Sequence, residues 1–143
     1  MTPVAKIADV LGGEKVLGRR LDNLHELRSA VAHGLPKRSV SHVAKAVSLE
    51  PNQQRKLIYR IVPEATYKRR RDRLSPSESE KTERMARIAA MAFEIWGEED
   101  GRAFLAAPHP MLGGETPLEA AATDLGAREV EAILRALEFG LPV

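Results

Sequence analysis

Cysteine is absent from the sequence, and this absence excludes disulfide bonds, thiolate metal sites and cysteine nucleophiles. Aromatic side chains make up only 4% of the 143 residues. Alanine and the aliphatic residues recur instead with a period near 3.6, which is typical of helices that pack through small side chains. We therefore predict an all-α protein.

A long hydrophobic run is also missing. The longest apolar stretch, residues 88–96, contains Glu94 and is far too short to span a bilayer. We see no signal peptide, and a chain without cysteine is compatible with a reducing compartment. The expectation is a cytoplasmic protein that does not enter a membrane.

No catalytic pattern is visible. The pairs Gly12-Gly13 and Gly113-Gly114 lack the spacing of phosphate-binding loops, and the four histidines are scattered. The acids at 98–100 point in different directions on a helix, so we interpret them as residues of a first helical turn. We predict no enzymatic activity, no metal site and no cofactor.

Charge is divided unevenly between the two halves. Residues 1–73 contain 16 Lys and Arg against 7 Asp and Glu, whereas residues 74–143 contain 6 against 13. Such asymmetry is typical of one part that faces nucleic acid and another that meets a different partner. We predict a basic domain over 1–73 and an acidic domain over 74–143.

Residues 108–119, called the connector below, are the most constrained stretch. Two prolines and the glycines at 113 and 114 fix its backbone, and Thr116, Pro117 and Glu119 have the spacing of a capping box that starts a helix. The plain interpretation is a turn between two core helices. The alternative is a rigid binding surface.

The acidic half has further helix signals. Ser75, Pro76 and Glu78 predict a second capping box, and Gly97 is placed to end the helix that follows. Thr123 or Asp124 is expected to cap the last helix.

The strongest basic cluster follows a helix and a short turn at Val62-Pro63. This order is that of a helix-turn-helix, whose second helix carries polar and cationic residues toward base edges and phosphates. A solvated basic linker is the alternative. The predicted DNA-binding residues are Thr66, Tyr67, Lys68, Arg69, Arg70, Arg71 and Arg73.

Several motifs resemble the Xre/MbcA/ParS antitoxins. The connector has the pattern P-x-P-x-L-G-G-x-T-P-L, residues 123–131 continue it, and Leu74 opens the pattern L-S-P-x-E-S. Residues 61–70 are similar to the family element V-P-x-x-T-L-x-R-R, with Tyr67 in place of leucine. Its ring either fills the same core position or rotates the helix slightly.

The resemblance implies an Xre-like helix-turn-helix domain followed by a small helical toxin-binding domain. It also implies an antitoxin that binds operator DNA and covers the active site of a RES-domain toxin that degrades NAD. A homodimer and a hetero-oligomer with the toxin are expected. The resemblance and the connector together suggest as toxin-binding residues His109, Met111, Leu112, Gly113, Gly114, Glu115, Pro117, Leu118 and the tail Leu141, Pro142 and Val143.

Two other functions stay open from the sequence. One is a stand-alone helix-turn-helix regulator whose acidic half serves dimerisation or senses a ligand. The other is an enzyme whose site is not visible, which the lack of an acid/base pair disfavours. The tail is either a plug for the toxin or a frayed chain end.

Overall fold

The computed structural model describes residues 2–140, and this part of the chain contains helices and no β-strand. The all-α prediction is confirmed. The elements are α1 (Val4–Val10), α2 (Gly13–Leu17), α3 (Leu24–His33), α4 (Arg38–Val47), α5 (Pro51–Ile61), α6 (Glu64–Arg69), α7 (Pro76–Ala106), a 3-10 helix (Pro110–Leu112), α8 (Pro117–Ala120) and α9 (Asp124–Glu138). No helix in this range is long and apolar enough to cross a membrane.

Helix α7 is the central element of the fold. It contacts α1, α3, α4 and α5 of the basic half and α8 and α9 of the acidic half. The 3.6-residue period predicts a core stripe on this helix; its members Met85, Ile88, Ala89 and Ala92 are buried, and Ile95 and Trp96 are partly buried. Ala90 and Met91, on other faces, are buried too. A helix covered on several sides buries more than one stripe.

Gly97 interrupts α7 with a φ of 82° and a ψ of 175°. The sequence predicts a helix end at this glycine, and the helical dihedrals do stop there, because a positive φ is readily adopted only by glycine. The chain resumes a helix at Glu98 and continues to Ala106. The acids after Gly97 thus occupy the first turn of the resumed helix, as predicted.

The end of the basic half is joined to α7 through backbone pairing. Leu74 N–H donates to the carbonyl of Leu35 at 2.9 Å, and the N–H of Leu35 donates to the Ser79 hydroxyl at 2.8 Å. Leu35, Leu74 and Ser79 are all buried. The chain therefore passes from residue 73 to 74 inside a packed junction and not through an exposed linker.

Candidate functional site

Helices α5 and α6 have the order of the predicted helix-turn-helix. Helix α5 begins with Pro51 at its first turn and ends at Ile61, and the backbone of Val62 is extended before Pro63. Ile61 and Val62 are buried, so apolar packing fixes the turn between the two helices. Helix α6 is short and carries four of the seven predicted DNA-binding residues.

Tyr67 fills a partly buried position against the hydrophobic core. Its ring meets that of Tyr59 at 6.1 Å in an edge-to-face arrangement, and the Lys37 ammonium lies 4.4 Å from the ring centroid. Burial raises the pKa of the Tyr67 hydroxyl, and Tyr59 adds to the effect. The ring thus packs against the core, as the first of the two predicted alternatives expects.

Two other α6 side chains interact within the helix. Lys68 Nζ lies 3.1 Å from a Glu64 carboxylate oxygen, and both groups are largely exposed. Arg69 Nη2 donates to the hydroxyl of Thr66 at 3.3 Å. Exposed pairs of this kind contribute little to stability, so Lys68 and Arg69 are free to exchange these partners for a ligand.

Arg70 joins α6 to the first turn of α7. Its Nε and Nη2 donate to the two carboxylate oxygens of Glu78 at 3.1 and 3.2 Å. Glu78 also accepts from Ser75 N–H at 2.8 Å, which completes the predicted capping box. Burial alone would raise the pKa of Glu78, but the hydrogen bonds from Arg70 and Ser75 outweigh it and lower the pKa.

Arg73 is anchored as well. Its Nη1 donates to the carbonyl of Gly34 at 2.8 Å. Gly34 adopts a φ of 105°, and a Cβ atom there would lie 2.6 Å from the carbonyl oxygen of Leu74. Gly34 thus allows its backbone to lie close to that of Leu74, which brings the Gly34 carbonyl within reach of Arg73. The side chain of Arg71 is exposed.

The connector closes on itself through backbone hydrogen bonds. His109 N–H donates to the carbonyl of Glu115 at 3.0 Å, and Gly114 N–H returns to the carbonyl of His109 at 3.2 Å. The His109 Nδ1 accepts from Met111 N–H at 3.1 Å and so caps the 3-10 turn. Gly113 and Gly114 have φ values of 64° and 87°, as the two glycines predict.

The connector divides its side chains between core and solvent. Met111 is 56% exposed, whereas Leu112 is 5% exposed. Pro117 is also buried, and His109 and Leu118 are partly buried. Leu112 and Pro117 therefore support the connector from inside, and the predicted toxin-binding residues of the connector that are exposed are Met111, Gly113, Gly114 and Glu115.

A second capping box starts α8 as predicted. Thr116 accepts from Glu119 N–H at 3.1 Å, and the Glu119 carboxylate accepts from Thr116 N–H at 3.0 Å. Thr123 caps α9 by accepting from Gly126 N–H at 3.0 Å. Arg84 of α7 donates to the carbonyls of Ala121 and Ala122, both at 3.1 Å. These bonds fix the acidic half against α7.

A partly buried charge cluster lies between α7 and α9. Arg87 Nε is 2.7 Å from a Glu131 oxygen, in a geometry that does not make a hydrogen bond, and its Nη1 is 3.5 Å from Glu83. Burial raises the pKa of Glu83 against the lowering effect of Arg87. The described residues contain no group of three or more His, Cys, Asp or Glu placed to hold a metal ion.

Sequence reasoning missed an aromatic row across the break in α7. The rings of Trp96 and Phe104 are 4.5 Å apart, and Phe104 meets His109 at 6.2 Å. All three side chains are partly buried. Trp96 and Phe104 are eight residues apart and are not neighbours on one regular helix. The break at Gly97 brings their rings together, and the sequence pattern alone does not predict that contact.

The predicted surfaces precede and follow α7 along the chain. The basic residues extend from α6 to the start of α7, and the connector follows α7 and packs its 3-10 helix against α9. The tail residues Leu141, Pro142 and Val143 lie outside the described residues.

Comparison with known proteins finds matches to two consecutive parts of the chain. Residues 26–87 match the model of the antitoxin Xre-like helix-turn-helix domain, and residues 91–140 match that of the antitoxin Xre/MbcA/ParS C-terminal toxin-binding domain. A comparison with curated proteins finds no match. Both families are antitoxin domains and not enzyme families. With both domains matched in this order, the chain belongs to the Xre/MbcA/ParS-type antitoxins.

Proposed function

We propose that this antitoxin silences a RES-domain toxin that degrades NAD by covering the toxin's active site with its connector. The observation that carries the proposal is the closed connector within the matched toxin-binding domain. A segment already fixed by internal hydrogen bonds loses little further conformational entropy on binding. Met111 offers an exposed apolar side chain, and Gly113 and Gly114 leave the backbone open to a partner.

The tail is part of this proposal. Leu141, Pro142 and Val143 would continue from α9 toward the toxin's active site, as the resemblance to the family implies. Truncation after Gly140 tests this separately, because a plug is needed for neutralisation whereas a frayed end is not.

The proposal also includes operator binding and autoregulation in the cytoplasm. Helices α5 and α6 have the order of a helix-turn-helix, and residues 1–73 carry an excess of nine positive charges. Half-site recognition by such a motif usually requires two copies, so we propose a homodimer on DNA. No cofactor is needed for either binding activity.

Co-expression with a RES-domain protein from the same operon tests the toxin partner. We expect a stable complex and restored growth of cells that express the toxin. Met111→Glu should weaken the complex at least about tenfold, because it places a charge in the apolar contact. Leu125→Glu is the matched control, since Leu125 is 70% exposed in the same half but outside the connector.

The outcomes separate the partner from its mode of binding. Failure of the wild-type chain to bind the RES-domain protein would contradict the toxin assignment and favour the regulator without a toxin. Equal complex formation by Met111→Glu and Leu125→Glu would leave the partner in place but exclude the connector as the contact.

A further inference from the structure

We infer that a depression beside the end of α6 binds one backbone phosphate of DNA and supplies affinity without reading bases. The depression is lined by Thr66, Arg69, Arg70, Arg71 and Arg73 and is called the arginine depression below. The inference rests on the proposed operator binding. It assigns a separate role to four of the residues that the sequence groups together.

Two walls of the arginine depression are held in place before any ligand arrives. Glu78 fixes the guanidinium of Arg70 through two hydrogen bonds, and the Gly34 carbonyl fixes that of Arg73. Each guanidinium has more N–H donors than these bonds use. The N–H donors of these two arginines are therefore oriented before a phosphate binds. Because the fold already orders both side chains, phosphate binding loses less conformational entropy.

The other two arginines complete the depression from the solvent side. Arg69 and Arg71 are exposed, and within residues 2–140 Arg69 makes only the weak contact with Thr66. The negative groups nearby are Asp72 and the Glu78 carboxylate, so the four arginines leave an excess of two positive charges. A singly charged phosphodiester fits that excess, and planar guanidinium groups suit its oxygens.

The position of the depression favours phosphate over base contact. The backbone leaves the helix at Arg70, whose φ of −64° and ψ of 131° are extended, so Arg70, Arg71 and Arg73 lie beyond the end of α6, next to its last residue Arg69. Contacts that flank a recognition helix position a protein on the duplex, whereas bases are read from within the groove. The residues of α6 that do not line the depression remain for the groove.

The test compares salt dependence on two duplexes, the operator fragment and a scrambled one. Wild type, Arg71→Ala and the double variant Arg69→Ala/Arg71→Ala are titrated over a range of salt concentration. We expect the slope of log K against log salt to shrink by about one for each phosphate contact removed. The two duplexes should lose affinity equally, because a phosphate contact carries no sequence information.

Arg28→Ala is the matched control, since Arg28 is exposed on α3 and outside the depression. An unchanged slope for the double variant, or a loss confined to the operator, would overturn the inference. Wild type that binds neither duplex would overturn operator binding as well. The first two results would contradict the phosphate contact but not operator binding, so a failure of the inference can be distinguished from a failure of the proposed function.

A free phosphate is the other source of the same chemistry. Inorganic phosphate is therefore titrated against the full chain without DNA, with the arginine side-chain N–H signals observed by NMR. We expect no saturation below about millimolar concentration, because a single diester contact is weak alone. Tight binding of free phosphate together with unchanged DNA slopes would assign the depression to a small phosphorylated ligand.

Discussion

A Cβ atom on Gly126 would lie 1.8 Å from the carbonyl oxygen of Ala120, so no side chain fits where α9 begins against α8. Gly126 itself is buried, and its N–H is bonded to the Thr123 cap. Glycine is required at this position because a side chain has no space, and not because of a positive φ, since the residue lies inside a regular helix. Glycine therefore sets how closely α8 and α9 approach each other.

Gly126→Ala should lower the free energy of unfolding by about 2 to 4 kcal/mol, because helix α9 must shift to admit the methyl group. Urea denaturation measures the change. Ala132→Gly, at an exposed site on the same helix, is the control and should cost about 1 kcal/mol through helix propensity alone. Equal losses for the two variants would show that the corner has room to relax.

Glu83 makes stability depend on pH in the direction opposite to most carboxylates. Its side chain is 14% exposed, and burial raises its pKa above the ordinary value of 4.5 for a glutamate. The folded state therefore holds this proton more tightly than the unfolded state does. The free energy of unfolding falls as pH rises from 4.5 through the folded pKa and then stays lower.

Glu83→Gln should therefore raise the free energy of unfolding at neutral pH. It should also remove the decrease in the free energy of unfolding that Glu83 causes as pH rises. Arg87 keeps Glu131 as its close partner, so the substitution does not leave a lone buried cation. Denaturant titrations between pH 4 and 8 provide the measurement. Glu94→Gln, exposed on the same helix, is the control and should change the profile less, and a similar profile for both variants would argue against the burial effect.

The connector combines a left-handed backbone at its two glycines with an open surface. Gly114 has a φ of 87°, yet a Cβ atom there meets no atom of the described residues within 4 Å. Any loss of function in a Gly114→Val variant thus has two origins, backbone strain and a clash with the partner. Asparagine separates them, because it tolerates positive φ far better than a β-branched residue does.

Gly114→Asn should lower the free energy of unfolding by less than Gly114→Val, whose strain costs about 1 to 2 kcal/mol. If the toxin approaches the backbone at this position, both variants should nevertheless weaken neutralisation in cells. Thermal unfolding and a growth assay measure the two effects. Full neutralisation by Gly114→Asn would show that no partner atom comes close to Gly114.

The two halves of the molecule share one central helix, and this determines how the chain unfolds. Helix α7 packs against α1, α3 and α4 on the basic side and against α8 and α9 on the acidic side. The two family matches also meet within it, between residues 87 and 91. The separate domains over 1–73 and 74–143 stay a prediction, and the shared helix argues for coupled folding.

We expect the full chain to unfold in a single transition and a fragment over 74–143 to be less stable than the whole. The fragment would expose the side of α7 that α1, α3 and α4 cover. Circular dichroism with denaturant measures both. A fragment as stable as the full chain would support independent domains, as the local helix starts at Ser75, Thr116 and Thr123 predict.

Local chemistry in the sequence determined the helix starts, the two capping boxes, the break at Gly97 and the order of the helix-turn-helix. These features depend on a few neighbouring residues, whose hydrogen bonds and backbone preferences act over one turn. The 3.6-residue period of the apolar residues was enough to predict the all-α class. The family motifs, which are also short stretches of sequence, were enough to predict the antitoxin family.

Only the tertiary structure decided which of the predicted site residues face solvent. Arg70 and Arg73 are anchored by Glu78 and Gly34, and Leu112 is turned into the core while Met111 points outward. Burial and pairing of this kind depend on groups that are 8 to 39 residues away in the chain or on another helix. The residues next to each of these positions in the sequence do not predict such contacts, because the contacts form only when separate elements pack together.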